Sequence, residues 1–165
     1  MKKYELLEKI KEILIKNNLS LSSAESCTGG LISSYLTDVS GSSAYIFQNF
    51  VTYSNAAKIK YLGVKEDTLA KFGAVSEKTA REMTFGLLKL SNCAISTTGI
   101  LGPTGGSAEK PIGLLIFRRR RDWATPTNSF DCLDMSSQLR SQNRTKGSGC
   151  SVPSITKGEH TMAKR

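Results

Sequence analysis

The spacing of apolar and polar residues divides the first 117 positions into alternating helices and strands. Residues 3–17 place apolar side chains at i, i+1, i+4, i+7 and i+8 with charges between them, which predicts an amphipathic helix. Shorter patterns predict four further helices, at residues 29–37, 56–62, 66–72 and 77–91. Strands are predicted between them, at residues 19–25, 44–53, 93–98 and 112–117.

This alternation predicts an α/β fold, a three-layer α/β/α sandwich with a largely parallel sheet and helices on both faces. The pattern stops at Arg118. From there the chain is rich in Ser, Thr, Asn, Gln and Arg and keeps no sustained period of 3.6 or 2. We therefore expect an α/β domain over residues 1–117, incomplete at its C-terminal end, and a basic, disordered tail over residues 118–165.

Charge and hydropathy narrow the class of protein. The chain has 165 residues and a net charge of +9, of which +6 falls in residues 118–165. A basic tail of this kind is weak evidence for nucleic-acid binding, because charge runs are usually solvated. The chain has no apolar run of about 20 residues and no signal-peptide pattern at its start. We expect a cytoplasmic protein that does not bind membranes.

Cysteine and histidine usage limits the chemistry. The four cysteines form no C-x-x-C pair, so free thiols are expected rather than a disulfide framework. The single histidine, His160, lies near the C-terminus. This nearly excludes a Ser-His-Asp or Cys-His arrangement in the α/β domain, and a histidine-based zinc site as well. No metal and no cofactor are expected.

The turn at residues 26–30 is the first candidate site. It lies between a predicted strand and a predicted helix, so its backbone N–H groups could hold an anion or an oxyanion at a helix N-terminus. Ser26 and Cys27 offer a hydroxyl and a thiol as nucleophiles. Cys27 could instead be a small buried thiol, and Glu25 could be either a buried anchor or a substrate contact.

A serine nucleophile needs a base, and without histidine the base must be a lysine, a carboxylate or a tyrosine. Tyr53 lies at a predicted strand end and Lys58 follows one turn into the next helix. If the strands are parallel, Ser26 and Tyr53 share the edge of the sheet where ligands bind in open α/β folds. A partly desolvated Lys58 could then act as a general base, although most such residues are structural or solvated.

A glycine-rich loop at residues 99–107 could cradle a phosphate through backbone N–H groups, or could simply be flexible. Its candidate ligand contacts, with the residue before it, are Thr98, Gly99, Gly102, Gly105 and Gly106. Lys110 could neutralise an anion or lie solvated at the surface.

Five segments carry a family resemblance: AESCTGG at 24–30, GSSAY at 41–45, VTYSNAAK at 51–58, GAVS at 73–76 and TGILGPTGGSAEKPIG at 98–113. In this order they resemble the CinA C-terminal domain family, over about residues 1–117. The resemblance implies a nicotinamide-nucleotide amidase (NMN deamidase) of pyridine-nucleotide salvage. Such an enzyme hydrolyses nicotinamide mononucleotide (NMN) to nicotinate mononucleotide and ammonia.

The resemblance also implies roles for individual residues. Ser26 would be the nucleophile, Lys58 its base, and Tyr53 the group that orients and relays. The remaining predicted substrate-binding residues are Glu25, Cys27, Thr28, Gly29, Gly30, Thr98, Gly99, Gly102, Gly105, Gly106 and Lys110. The family is metal-independent and usually dimeric, so a homodimer is expected if the fold is complete.

The sequence departs from the family at two places. Ala56 stands where many members have Glu, and nothing after Arg118 resembles the family's further strands and C-terminal helix. We interpret the change at Arg118 as a shifted reading frame or a junction with unrelated sequence, which would impair the activity. The alternatives to an active amidase are a catalytically silent CinA-like binding module and, ranked last, nucleic-acid binding through the tail.

Overall fold

The computed structural model describes residues 3–121 and 133–134. The helices are α1 Lys3–Lys16, α2 Leu31–Thr37, α3 Asn55–Leu62, α4 Glu66–Phe72 and α5 Glu77–Leu87. The strands are β1 Leu21–Glu25, β2 Ile46–Val51, β3 Cys93–Ile100, β4 Leu114–Arg121 and β5 Leu133–Asp134. A short 3-10 helix, Ser42–Ala44, precedes β2.

The strands form one sheet in the order β2-β1-β3-β4-β5. The pairs β1–β2 and β1–β3 are parallel, whereas β4 runs antiparallel to β3 and β5 antiparallel to β4. The carboxyl ends of β1, β2 and β3 therefore meet at one edge, close to Glu25, Val51 and Ile100. This is the edge at which the sequence placed the candidate site.

Helices cover both faces of the sheet, which confirms the predicted three-layer sandwich. On one face, α1 and α2 pack against β1 through a buried cluster: Leu7, Leu14, Leu21, Leu36, Val39 and Tyr45. On the other face, α3, α4 and α5 pack against β1 and β3 through a second cluster: Ala24, Leu62, Val64, Leu69, Met83, Leu87 and Ala94. Leu21 and Ala24 of β1, three positions apart, belong to different clusters, as expected for a strand buried on both faces.

Serine caps mark the starts of α3 and α5, and a glycine marks the end of α3. The hydroxyls of Ser54 and Ser76 accept hydrogen bonds from backbone N–H groups in the first turns of α3 and α5. Gly63, with φ 67°, ends α3 in the left-handed conformation. These features confirm the predicted starts of both helices and the predicted end of α3.

Helix α5 is shorter than the sequence predicted. It ends at Leu87 rather than at residue 91, and Leu90, which was placed on its apolar face, is exposed. After Leu87 the chain forms a turn in which the amides of Leu90 and Ser91 donate to the carbonyl of Leu87, and the Ser91 hydroxyl donates to the carbonyl of Cys93 at 2.8 Å. Side-chain hydrogen bonds of serine to nearby backbone compete with helix continuation.

The predicted strand at residues 112–117 is displaced toward the C-terminus. Residues 111–114 form a turn in which the Leu114 amide donates to the carbonyl of Pro111, so β4 begins at Leu114. It then continues through Arg118 to Arg121, paired with residues 96 to 93 of β3. The expected domain boundary at residue 117 thus falls within a strand. The rest of the predicted tail, residues 122–132 and 135–165, lies outside the described residues.

None of the helices in the described ranges is long and apolar enough to cross a bilayer.

Candidate active site

The Ser26–Gly30 turn joins β1 to α2 with the predicted strand–turn–helix geometry. Its backbone is closed by the Gly29 amide, which donates to the carbonyl of Ser26 at 3.2 Å. Gly29 and Gly30 adopt φ angles of 62° and 101°, a region that L side chains rarely enter. Two consecutive glycines are therefore required for the chain to turn from strand into helix here.

The carboxylate of Glu25, which is fully buried, holds this turn together. One oxygen accepts from the amides of Gly30 and Ile32 at 3.1 Å each, and the other from the amide and hydroxyl of Ser33. Burial raises the pKa of Glu25, but the hydrogen bonds from Ser33, Thr28 and Ile32 outweigh it, and the pKa lies below its ordinary value. Of the two interpretations left open, the geometry favours the buried anchor.

Lys58 brings its amine to the predicted nucleophile. The side chain is fully buried, and Nζ lies 2.9 Å from Ser26 Oγ, 2.7 Å from the carbonyl oxygen of Thr52 and 3.1 Å from that of Tyr53. Within the described ranges no carboxylate pairs with Lys58. Burial lowers the pKa of Lys58, and the nearby Cys27 opposes this only in part.

As an ammonium, Lys58 donates from Nζ to all three oxygens, and its lowered pKa favours the loss of one of these protons. A neutral lysine carries two N–H donors and one lone pair. The two carbonyls of residues 52 and 53 can accept both N–H groups. The lone pair is then directed at the remaining neighbour, the hydroxyl of Ser26. The arrangement can therefore take a proton from Ser26, as a general base for a serine nucleophile must.

Cys27, the rival nucleophile, is held as a thiol. Burial raises the pKa of Cys27 to about 11, although the neighbouring amides and Lys58 act in the opposite direction. At neutral pH the thiolate is therefore scarce, and the thiol is the weaker candidate. Its sulfur packs against β3 at Gly99, where an added Cβ would lie 3.0 Å from Cys27 Sγ and 2.4 Å from the carbonyl oxygen of Leu114.

Two amides of the turn differ from the others in their hydrogen-bond partner. The Gly29 and Gly30 amides are used within the turn, by Ser26 and Glu25. The amides of Cys27 and Thr28, by contrast, are directed at the Cys27 sulfur and lower the pKa of its thiol. They flank the nucleophile on its C-terminal side, and the oxyanion role of the amides at residues 27–30 stays a prediction.

Tyr53 contributes to the site through its backbone. Strand β2 ends at Val51, so Tyr53 lies in the segment that leads to α3. Its side chain is 75% exposed, while its carbonyl accepts from Lys58. The predicted orienting and relaying role of the phenol stays a prediction. The carbonyl contacts of residues 52 and 53 could not be read from residue types, because every residue has a carbonyl.

The end of β3 contributes two threonines with different roles. Thr97, which the sequence analysis missed, is fully buried, and its Oγ1 lies 2.8 Å from Thr28 Oγ1. Thr98 instead donates its hydroxyl to the carbonyl of Ala74 at 2.8 Å. Successive residues of a strand face opposite sides of the sheet, so the sequence alone could have predicted that Thr97 and Thr98 lie on different faces. The predicted substrate contact of Thr98 stays a prediction.

The glycine-rich loop starts later than predicted, because Gly99 belongs to β3 and the loop spans residues 101–113. Gly102 and Gly105 are exposed, with φ 90° each, and Gly106 packs its backbone against Ile112. Lys110 donates from Nζ to the carbonyl of Phe72 at 2.7 Å, at the C-terminal end of α4. That position suits a cation on helix-dipole grounds, so the structure shows Lys110 as a helix cap. Its anion contact stays a prediction.

Metal and disulfide chemistry can be described only for the ranges the structure covers. There, no group of three or more His, Cys, Asp or Glu side chains is arranged to hold a metal ion. Neither Cys27 nor Cys93 forms a disulfide. His160, Cys132 and Cys150 lie outside the described residues.

Fold and site together define an α/β protein with a buried Ser–Lys pair at the carboxyl edge of a parallel sheet. The sequence profile of the CinA C-terminal domain family matches residues 3–147, so the chain belongs to that family. The match extends 30 residues beyond the segment over which the motifs alone indicated a resemblance.

The chain is similar to proteins named CinA-like. It is 60% identical to the one from Chloroherpeton thalassium over 112 residues, which are 67% of this chain and 27% of that protein. For the one from Chlorobium limicola the identity is 55% over 112 residues, 67% of this chain and 26% of that protein. The chain thus spans about a quarter of the length of these relatives.

Solved structures of similar proteins share the fold. The competence/damage inducible protein CihA from Agrobacterium tumefaciens is 42% identical, with a TM-score of 0.72 over 87% of this chain and 90% of that one. A CinA superfamily protein from Escherichia coli is 31% identical, with a TM-score of 0.70 over 84% and 82% of the two chains.

Proposed function

We propose that this chain is a serine amidohydrolase that converts nicotinamide mononucleotide to nicotinate mononucleotide and ammonia. The observation that carries the proposal is the contact of 2.9 Å between the fully buried Lys58 amine and Ser26 Oγ. A desolvated lysine without a carboxylate partner in the described ranges is a base suited to activating a hydroxyl. The substrate rests on the resemblance to nicotinamide-nucleotide amidases.

The reaction would proceed through an acyl-enzyme. Ser26 transfers its proton to Lys58 Nζ and attacks the carboxamide carbon, while the amides of Cys27 and Thr28 hold the oxyanion. Lys58 then returns the proton to the leaving nitrogen, and ammonia departs. Water next attacks the acyl carbon with Lys58 again as base, which releases the carboxylate product and restores Ser26.

The nucleotide part of the substrate would extend toward the loop at residues 101–113. This loop begins two residues after Gly99, which packs against the sulfur of Cys27, so the start of the loop would lie near the turn. Exposed backbone N–H groups in a glycine-rich segment can bind a phosphate by donating hydrogen bonds to its oxygens. Lys110 would also contact the phosphate, after its Nζ has released the carbonyl of Phe72.

The test is ammonia release from nicotinamide mononucleotide by the full chain. Ser26→Ala and Lys58→Met should each abolish release, because one removes the nucleophile and the other removes the base without emptying the buried space. Lys60→Met is the matched control, since Lys60 is an exposed lysine of the same helix. A folded protein that binds the nucleotide without releasing ammonia would contradict the proposal and favour the silent binding module.

A further inference from the structure

One buried polar group beside the proposed catalytic pair has no explanation in the fold. Thr52 is 1% exposed. Its amide donates to the carbonyl of Glu25 at 2.8 Å, and its carbonyl accepts from Lys58 at 2.7 Å. Its hydroxyl, however, has no hydrogen-bond partner among the described residues. Buried hydroxyls nearly always have a partner, either in the protein or in an ordered water.

The direction of β2 places this hydroxyl on the side of the sheet that carries Lys58. Phe50 packs against the core cluster formed with α3, α4 and α5. Alternate residues of an extended chain face the same side, so Thr52 follows Phe50 onto that face. Lys58 of α3 reaches the same residue, since its Nζ donates to the carbonyl of Thr52.

A second buried hydroxyl without a partner, that of Ser22, provides a comparison. Ser22 is fully buried in β1, four residues before Ser26 and paired in register with Ala94 of β3. The two hydroxyls therefore share burial and the lack of a partner among the described residues, but only Thr52 is a residue whose backbone binds Lys58.

We propose that the Thr52 hydroxyl binds the water molecule that hydrolyses the acyl-enzyme, beside Lys58. This inference rests on the proposed function. The water gives one proton to Lys58 Nζ and forms the new carbon–oxygen bond to the acyl carbon. The bond from that carbon to Ser26 Oγ then breaks, and Ser26 takes the proton from Lys58. Buried waters need two to four polar partners, and Thr52 and Lys58 supply two of them.

The test is Thr52→Val, which replaces the hydroxyl by a methyl group of similar size. The melting temperature should stay the same or rise, because the change removes a buried hydroxyl that no described residue satisfies. Turnover of nicotinamide mononucleotide should nevertheless fall by about tenfold or more, since the attacking water loses its position. An adduct on Ser26 should accumulate and be visible by intact-protein mass spectrometry.

Two further variants separate this role from a structural one. Thr52→Ser keeps the hydroxyl and should restore most of the turnover and remove the adduct. Ser22→Ala, the matched control, should leave both turnover and adduct at the wild-type level.

The possible failures are distinguishable. Wild-type turnover in Thr52→Val, in a protein whose Ser26→Ala variant is inactive, would overturn the role of Thr52 and leave the amidase intact. So would a loss of turnover without an adduct, because acylation would then be the affected step. No ammonia release by the wild-type protein would contradict the amidase and this inference with it.

Discussion

The burial of Lys58 leads to a quantitative prediction about how the free energy of unfolding depends on pH. Because the folded protein lowers the pKa of Lys58 below its ordinary value of 10.5, the unfolded chain binds one more proton in the window between the two values. The free energy of unfolding should therefore rise with pH in that window, by up to about 1.4 kcal/mol per pH unit. This contribution is lost as pH falls through the folded-state pKa, and Lys58→Met should abolish it.

The thiol of Cys27 acts in the opposite direction and must be removed first. Its pKa is raised from 9.0 to about 11, so its contribution is present below pH 9 and lost above it. The experiment is urea unfolding from pH 6 to 10 in a Cys27→Ala background, with and without Lys58→Met. The difference in free energy should increase with pH, while Lys60→Met, at an exposed position of the same helix, should keep the slope. A difference that stays constant over this range would refute the desolvated base.

Three other substitutions test the Ser26–Gly30 turn and the residues of β1 and β3 that pack against it. Between pH 9 and 11, the free energy of unfolding of Cys27→Ala should change more favourably than that of the wild type by about 2–3 kcal/mol, because the variant lacks the opposing contribution of the thiol, as measured by urea unfolding of both proteins at each pH. Glu25→Gln should lower the free energy of unfolding by about 2–4 kcal/mol, because its amide group would meet N–H donors; unchanged stability would exclude the anchor role. Gly99→Ala should lower the free energy of unfolding by about 1–3 kcal/mol, because the new Cβ would lie 2.4 Å from the carbonyl oxygen of Leu114; unchanged stability in urea unfolding would contradict this close contact.

Most of the fold follows from local patterns. The α1 periodicity, the Ser54 and Ser76 caps and the glycine at residue 63 lie within a few residues of the elements they define. Such signals act over one or two helical turns, so they can be read without a tertiary structure. The errors occurred where a distant partner sets the end of an element. Strand β4 extends to Arg121 because β3 offers backbone partners as far as Cys93.

The candidate site also has one part that the sequence predicts and another that only the tertiary structure defines. The absence of a histidine from residues 1–117 and the motifs at residues 24–30 and 51–58 were enough to nominate Ser26 and Lys58. Their contact joins residues 32 positions apart, and it exists only because parallel β1 and β2 bring their carboxyl ends together.

The roles of Glu25, Cys27 and Thr52 are set by their burial and hydrogen bonds in the folded protein. Sequence spacing left Glu25 open between anchor and substrate contact, and it could not rank the thiol of Cys27 by its acidity. Desolvation and hydrogen bonding set both properties, and these come from elements that are remote in the chain. Residue types and their order therefore specify which groups can react, whereas packing of distant elements specifies which of them are charged, buried and in contact.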